Sequence, residues 1–387
     1  MAQTRTITPA KLRKLAALDL ALRPILAFAP RPGPAPRGIF APERILVVEI
    51  WGLGDVVLAT PALAELRERF PSAGITLLAK PKARELLAES GLVDDVIAVD
   101  FPWTACERKF APSRYDLAGL KDLFRELRSR RFDVSLDARR DIRSNIVTYL
   151  SGAKRRIGYD FGRATHLLTD VLPSGSQNAH RIDDWLRLLQ PLVGEVPNTR
   201  GRVLRIAQAE RSAGRRTLGE LGFTGERPIV AIDAGSNAEV RRLQEDVVAG
   251  VAAGLIENPG VDVVFNIDPS GYGANFRLPA AVRVLRPGLR ELMAILAEVD
   301  ALVCTDSAAM HIAAALGTPV TAVYGPAPWR WFGPLEPEHR VVTIEDMPCR
   351  PCFDACIHPS PICMDRITSD IVLRAVRSQL APVATIT

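Results

Sequence analysis

The chain has 387 residues, 48% of them hydrophobic and 24% charged, which suits two or three domains with real cores and excludes a disordered or fibrous protein. A formal net charge of +5 is mild: it fits an anionic substrate or membrane surface, and no basic block with interleaved aromatics points to nucleic acid. Six cysteines in so long a chain do not form a disulfide scaffold, so a reducing compartment is expected.

Residues 1–42 form an extension with seven Lys or Arg against one acid, Asp19. Leu12, Leu15, Leu18, Leu22 and Ile25 fall on one face of a predicted helix. Asp19, Arg23 and Pro24 interrupt it, and it is too short to cross a bilayer, so it is expected to lie on a membrane surface or on the protein itself. Five prolines from Pro30 to Pro42 make a stiff connector.

Residues 44–50 are rich in Ile and Val and read as a buried strand. Gly52 and Gly54 then allow a tight turn and the close approach of a ligand, and Asp55 stands at its mouth. Leu58, Ala62, Leu63, Leu66 and Phe70 recur at helical spacing, with a second start or a kink predicted at Thr60-Pro61. Val57 replaces the third glycine of the dinucleotide fingerprint, which makes a nicotinamide dehydrogenase a remote reading.

Strands are predicted at 74–79 and 96–99 with a helix at 80–91 between them, the half-unit of a doubly wound sheet. A helix at 115–130 and a strand at 133–136 follow. Two charged segments come next, Asp137 to Arg143 and Lys154 to Tyr159. They read equally well as functional loops and as a solvated basic rim. His180 heads a helical run as a capping or surface group. A Pro-, Asn- and Gly-rich stretch at 197–201 marks a domain boundary.

Beyond it a helix (208–221), a strand (228–233) and the loop Ala234-Gly235-Ser236-Asn237 lead to Arg241 and Arg242. Helices at 245–256 and 290–298 alternate with strands at 261–265 and 301–305. The last strand runs into Thr305-Asp306-Ser307-Ala308-Ala309-Met310-His311, with Ser307 as expected N-cap and Gly317 as C′ residue. The N-terminus of such a helix can hold a phosphate. Pro319 to Tyr324 is the next strand. Cys349, Cys352, Cys356 and Cys363 are spaced C-x2-C-x3-C-x6-C and could hold a structural Zn²⁺, an iron–sulfur centre on thiol count alone, or stand as reduced thiols.

The segments G-L-G-D-V-V-L-A-T-P-A-L (52–63) and T-D-S-A-A-M-H-I-A-A-A-L-G-T-P (305–319) together resemble glycosyltransferase family 9, the heptosyltransferases of lipopolysaccharide-core synthesis. The segments 137–143, 153–159 and 180–189 add to the resemblance, which covers the chain from Arg44 to about Ala375. It implies an α/β protein of GT-B architecture, two Rossmann-like domains facing across a cleft. The expected divisions are 1–42, an acceptor domain 43–205, a nucleotide-sugar domain 206–363, and a helix and tail 364–387 packing back on the N-terminal domain.

The resemblance further implies an inverting transfer from a nucleotide sugar such as ADP-heptose to a lipid-linked glycan, with no cofactor needed for catalysis. Asp55 would be the general base. Gly235, Ser236, Arg241, Arg242, Asp306, Ser307, Ala308 and His311 would bind the donor, and Gly54, Arg139, Arg143 and His180 the acceptor. The expected location is cytoplasmic, peripheral on the inner face of the inner membrane. Where the family usually has Lys and Gly, this chain has Arg241 and Ala308. A homologue that binds a nucleotide diphosphate without catalysis, or a metal-stapled structural module, are the alternative readings.

Overall fold

The structure, a computed structural model, describes residues 41–104, 116–139, 141–160, 165–173, 179–257, 260–352 and 355–380. The predicted N-terminal helix, Cys106, Arg140 and the end of the tail lie outside these. The chain divides into two compact units, Met1–Gly201 and Arg202–Thr387.

In the first unit, β1 (Arg44–Glu49), α1 (Leu53–Arg69), β2 (Gly74–Ala79), α2 (Lys82–Leu86) and β3 (Asp95–Ala98) form one half of the sheet. The other half is built from α3 (Leu117–Ser129), β4 (Val134–Leu136), α4 (Ile142–Leu150), β5 (Arg155–Asp160), β6 (Asp170–Pro173) and α5 (Arg181–Arg187). Six parallel strands run in the order β3-β2-β1-β4-β5-β6. Strand order reverses between β1 and β4, where Ile45 lies beside both Ile75 and Val134. The sheet is covered on its faces, so β1 carries an unbroken apolar run from Ile45 to Val48, all four residues buried.

The second unit repeats the plan with α6 (Gln208–Glu220), β7 (Ile229–Asp233), α7 (Glu245–Glu257), β8 (Asp262–Asn266), β9 (Arg283–Leu285) and α8 (Leu289–Leu296). It continues through β10 (Ala301–Thr305), α9 (Ala308–Leu316), β11 (Val320–Tyr324), β12 (Arg340–Thr343) and α10 (Ser369–Leu380). The order is β12-β11-β10-β7-β8-β9, again parallel, and it reverses between β7 and β10. In open sheets of this kind ligands bind outside the carboxyl ends of the strands that flank such a reversal.

Four expectations are corrected. Helix α1 neither restarts nor breaks at Pro61: it begins at Leu53 and runs on to Arg69. Proline cannot donate to the carbonyl four residues back, that of Val57, and the Thr60 hydroxyl donates to it instead at 2.6 Å. The helix expected at 80–91 spans only Lys82–Leu86, and Glu89 (φ 59°) and Gly91 (φ 70°) turn the chain left-handed beyond it. Of the two readings left open for the charged segments, a wholly solvated rim does not hold: Asp137, Arg155 and Arg156 are buried, while Lys154 is exposed. Finally, α10, expected on the N-terminal domain, has its buried face in the second unit's core through Val372 and Val376. Gly250 and Gly254 on α7 admit it, since a Cβ there would stand 2.7 Å from Ser369 Cβ and 2.4 Å from Leu373 Cδ2.

Candidate active site

At the first reversal, Asp55 occupies the third position of α1. Its Oδ2 accepts from the Gly52 N–H at 3.1 Å, closing the helix N-terminus from inside. Gly52 has an ordinary extended backbone (φ −114°), so its role is spatial: a Cβ there would meet Asp55 Oδ2 at 2.9 Å. Gly54 lies in the same first turn. Arg139, just past β4, places Nη2 2.5 Å from Asp55 Oδ1 and 3.5 Å from Glu49 Oε1. Its guanidinium also lies over the Trp51 ring, 5.2 Å from the centroid, and Arg143 lies over the same ring at 5.0 Å. Asp141 holds Arg143 through two hydrogen bonds, Nε–Oδ1 at 2.8 Å and Nη2–Oδ2 at 2.5 Å.

His180, an expected acceptor-binding residue, stands at the start of α5. It is the buried N-cap of α5, its Nδ1 accepting from the Ile182 N–H at 3.2 Å. Its neighbour Arg181 reaches the cluster, donating to the Ala138 carbonyl at 2.8 Å and lying 3.7 Å from Glu49 Oε2. Burial raises the Glu49 pKa, against the pull of Arg139 and Arg181. Burial likewise lifts Asp137 well above the ordinary carboxylate range. Burial opposes the charge on Arg139, but Asp55, Glu49, Asp137 and Asp141 together raise its pKa.

In the 154–159 segment, Arg155 forms an ion pair with Asp170 at 2.6 Å. Arg156 donates to the Leu167 and Ala153 carbonyls, so both arginines hold β5 to its surroundings.

At the second reversal the loops after β7 and β10 meet. Ser236 donates to the Asp306 carbonyl at 3.3 Å, and Thr305 donates to the Gly235 carbonyl at 2.7 Å. Gly235 is required because a Cβ would fall 2.2 Å from Asp268 Oδ2. Arg241 forms an ion pair with Asp306 at 3.0 Å, next to the N-terminus of α9. Arg242 turns away to the Ser236 carbonyl (3.0 Å) and over the Tyr272 ring (4.8 Å). Ala308 opens α9, and His311 lies in its first turn, half-buried.

Ser307 stands at the N-cap of α9, but its side chain does not cap: among the described residues its buried Oγ has no hydrogen-bond partner. The first N–H groups of α9 are therefore not used by that hydroxyl. Asp233 ends β7 in a buried position, and burial raises its pKa to about 6 despite a 2.5 Å hydrogen bond from Asn266 and one from the Gly235 N–H.

The expected zinc set finds no support. Cys349, Cys352, Cys356 and Cys363 are not disulfide-bonded, and among the described residues no group of three or more His, Cys, Asp or Glu side chains is arranged to hold a metal ion. Burial and the neighbouring sulfurs push Cys352 up to about 11, so it stays a thiol at neutral pH. Sequence reasoning missed Glu49, Arg181, Asp233 and Asn266. The available signal was an acid at the end of an otherwise apolar strand, at Glu49 and again at Asp233.

Among solved structures, the family 9 glycosyl transferase from Veillonella parvula matches with a TM-score of 0.68 at 21% identity, covering 87% of this chain and 97% of that one. The Escherichia coli ADP-heptose lipopolysaccharide heptosyltransferase II matches with a TM-score of 0.66 at 22% identity, covering 87% and 98%. These likenesses show the fold, that of GT-B enzymes. Lipopolysaccharide heptosyltransferase 2 of E. coli K12 is 23% identical over 326 residues, which is 78% of this chain and 88% of that protein. Residues 120–359, more than half of the chain, match the model of glycosyltransferase family 9 (heptosyltransferase). The chain belongs to that family and is a glycosyltransferase.

Proposed function

We propose that this enzyme is an inverting heptosyltransferase that needs no metal ion. It would carry heptose from ADP-heptose to the lipopolysaccharide core or a related lipid-linked glycan, with Asp55 as general base. The observation that carries the reading is the Asp55 carboxylate, fixed by the Gly52 N–H and Arg139 at the first strand reversal and still partly open to solvent. The names of the similar proteins supply the sugar and the acceptor: a lipopolysaccharide heptosyltransferase 2 and an ADP-heptose heptosyltransferase II.

In such a transfer the acceptor hydroxyl gives its proton to Asp55 as its oxygen bonds to the anomeric carbon. The bond from that carbon to the diphosphate oxygen breaks, and ADP leaves with the electron pair through an oxocarbenium-like transition state. Fixed positive groups can stabilise the departing charge. Arg241 beside Asp306 and the amino end of α9 supply such groups in the second unit, and the chain has no Asp-x-Asp to hold a metal on the diphosphate.

Thermal unfolding against ADP, GDP, UDP and CDP tests the donor side. A ligand that binds only the native state at a hundred times its Kd stabilises it by about 2.7 kcal/mol. Selective stabilisation by ADP and ADP-heptose, largely lost in Arg241→Gln, is expected. A selective response to another nucleotide, or none to any, would refute the donor assignment.

A further inference from the structure

Glu49 is fully buried at the end of β1, and nothing in the strand explains its charge. A buried carboxylate is costly unless it is paired. The backbone needs only an acceptor there: the Trp51 N–H donates to Oε1 at 3.3 Å, which a glutamine oxygen would satisfy as well. Among the described residues Oε2 has no hydrogen-bond partner, although Arg181 Nη2 lies 3.7 Å away. Arg181 in turn is anchored by the Ala138 carbonyl and lies 3.7 Å from Asp184. The distinctive contact of Glu49 is with Arg139, whose single Nη2 lies between Glu49 Oε1 (3.5 Å) and Asp55 Oδ1 (2.5 Å).

An arginine paired with one aspartate alone favours the ionised form and lowers its appetite for a proton, commonly by 1–3 pH units. A second carboxylate on the same guanidinium offsets that effect and repels the first. We propose that Glu49 is a positioning residue for Asp55: it shares Arg139 and so keeps that arginine from quenching the carboxylate as a proton acceptor. This rests on Asp55 being the base. The other charged groups around it are Asp137 after β4, Asp141 and Arg143 at the start of α4, and Arg181, Asp184 and the capping His180 of α5. The first two acids add to the field on Arg139, and Asp184 to that on Arg181.

The test is a carboxyl ¹³C NMR titration of the full chain labelled at aspartate, with the Asp55 signal assigned from Asp55→Asn. In Glu49→Gln the Asp55 midpoint is expected to fall by about one pH unit. The acid limb of the kcat/KM profile should fall with it while KM stays near its original value. In Arg139→Gln the midpoint should rise, which keeps the test available if Glu49→Gln fails to fold. An Asp55 midpoint unmoved by Glu49→Gln, or lowered by Arg139→Gln, overturns the inference. Persistence of full transfer in Asp55→Asn would instead remove the assignment of the base, and the titration would still report whether Glu49 acts on Asp55.

Discussion

Replacing Asp233 by asparagine probes the electrostatics at the second strand reversal. Asp233 is 4% exposed, and burial raises its pKa to about 6 from an ordinary value near 3.8. Between those values the native chain binds a proton that the unfolded chain has released, so stability falls as pH rises from about 4 to about 6 and stays lower above it. Two pH units correspond to about 3 kcal/mol at 1.36 kcal/mol each. Asparagine removes that cost but gives up two charge-assisted bonds, from the Gly235 N–H and from Asn266 Nδ2, and the Asn266 amide must turn over to pair with it. The new amide can then donate to Asn266 Oδ1, which among the described residues has no partner now. The net gain expected at pH 8 is on the order of 1–2 kcal/mol, or roughly 5 °C in the melting temperature of a unit this size. Thermal unfolding of wild type and Asp233→Asn at pH 4 and pH 8 measures it, with the gain confined to the higher pH. A difference that is the same at both pH values would refute the reasoning.

Two further outcomes follow from packing and hydrogen bonding. Gly214 on α6 faces α8, where a Cβ would stand 2.4 Å from the Ala294 carbonyl oxygen, so Gly214→Ala should destabilise the second unit by about 1–3 kcal/mol despite alanine's better helix propensity, measured as a lower melting temperature. Thr60→Val keeps the shape but leaves the buried Val57 carbonyl without its donor beside Pro61, and should cost about 1–3 kcal/mol by the same measurement; an unchanged melting temperature would mean the helix does not need that bond.

Both sheets were legible because each contains an apolar strand followed by a short loop and a helix of regular spacing, as in 44–69 and 301–316. The edge strands β6, β9 and β12 were not, since each has three or four residues of which at most one is buried, which leaves no apolar run to read. Asp55 and Asp306 stood out as acids at strand ends followed by helices. Glu49 did not, because its meaning lies in Arg139 and Arg181, which distant segments bring to it. Ser307 shows the limit of residue preference: the type and position suit a cap, yet the hydroxyl makes no capping bond. The reverse holds for His180, whose ring does cap α5. The placement of α10 was readable in principle from Gly250 and Gly254, four residues apart on α7, which leave room for a second helix to approach.

The measurement that bears most directly on the function is a transfer assay with ADP-heptose and a lipopolysaccharide-core acceptor, comparing wild type with Asp55→Asn. Asparagine keeps the acceptor oxygen for the Gly52 N–H but cannot take the proton. The account predicts a fall in kcat of about 10²–10⁴-fold, the usual contribution of a general base, with ADP affinity retained and the anomeric configuration inverted in the wild-type product. Transfer by Asp55→Asn at the wild-type rate, or a product of retained configuration, would contradict it.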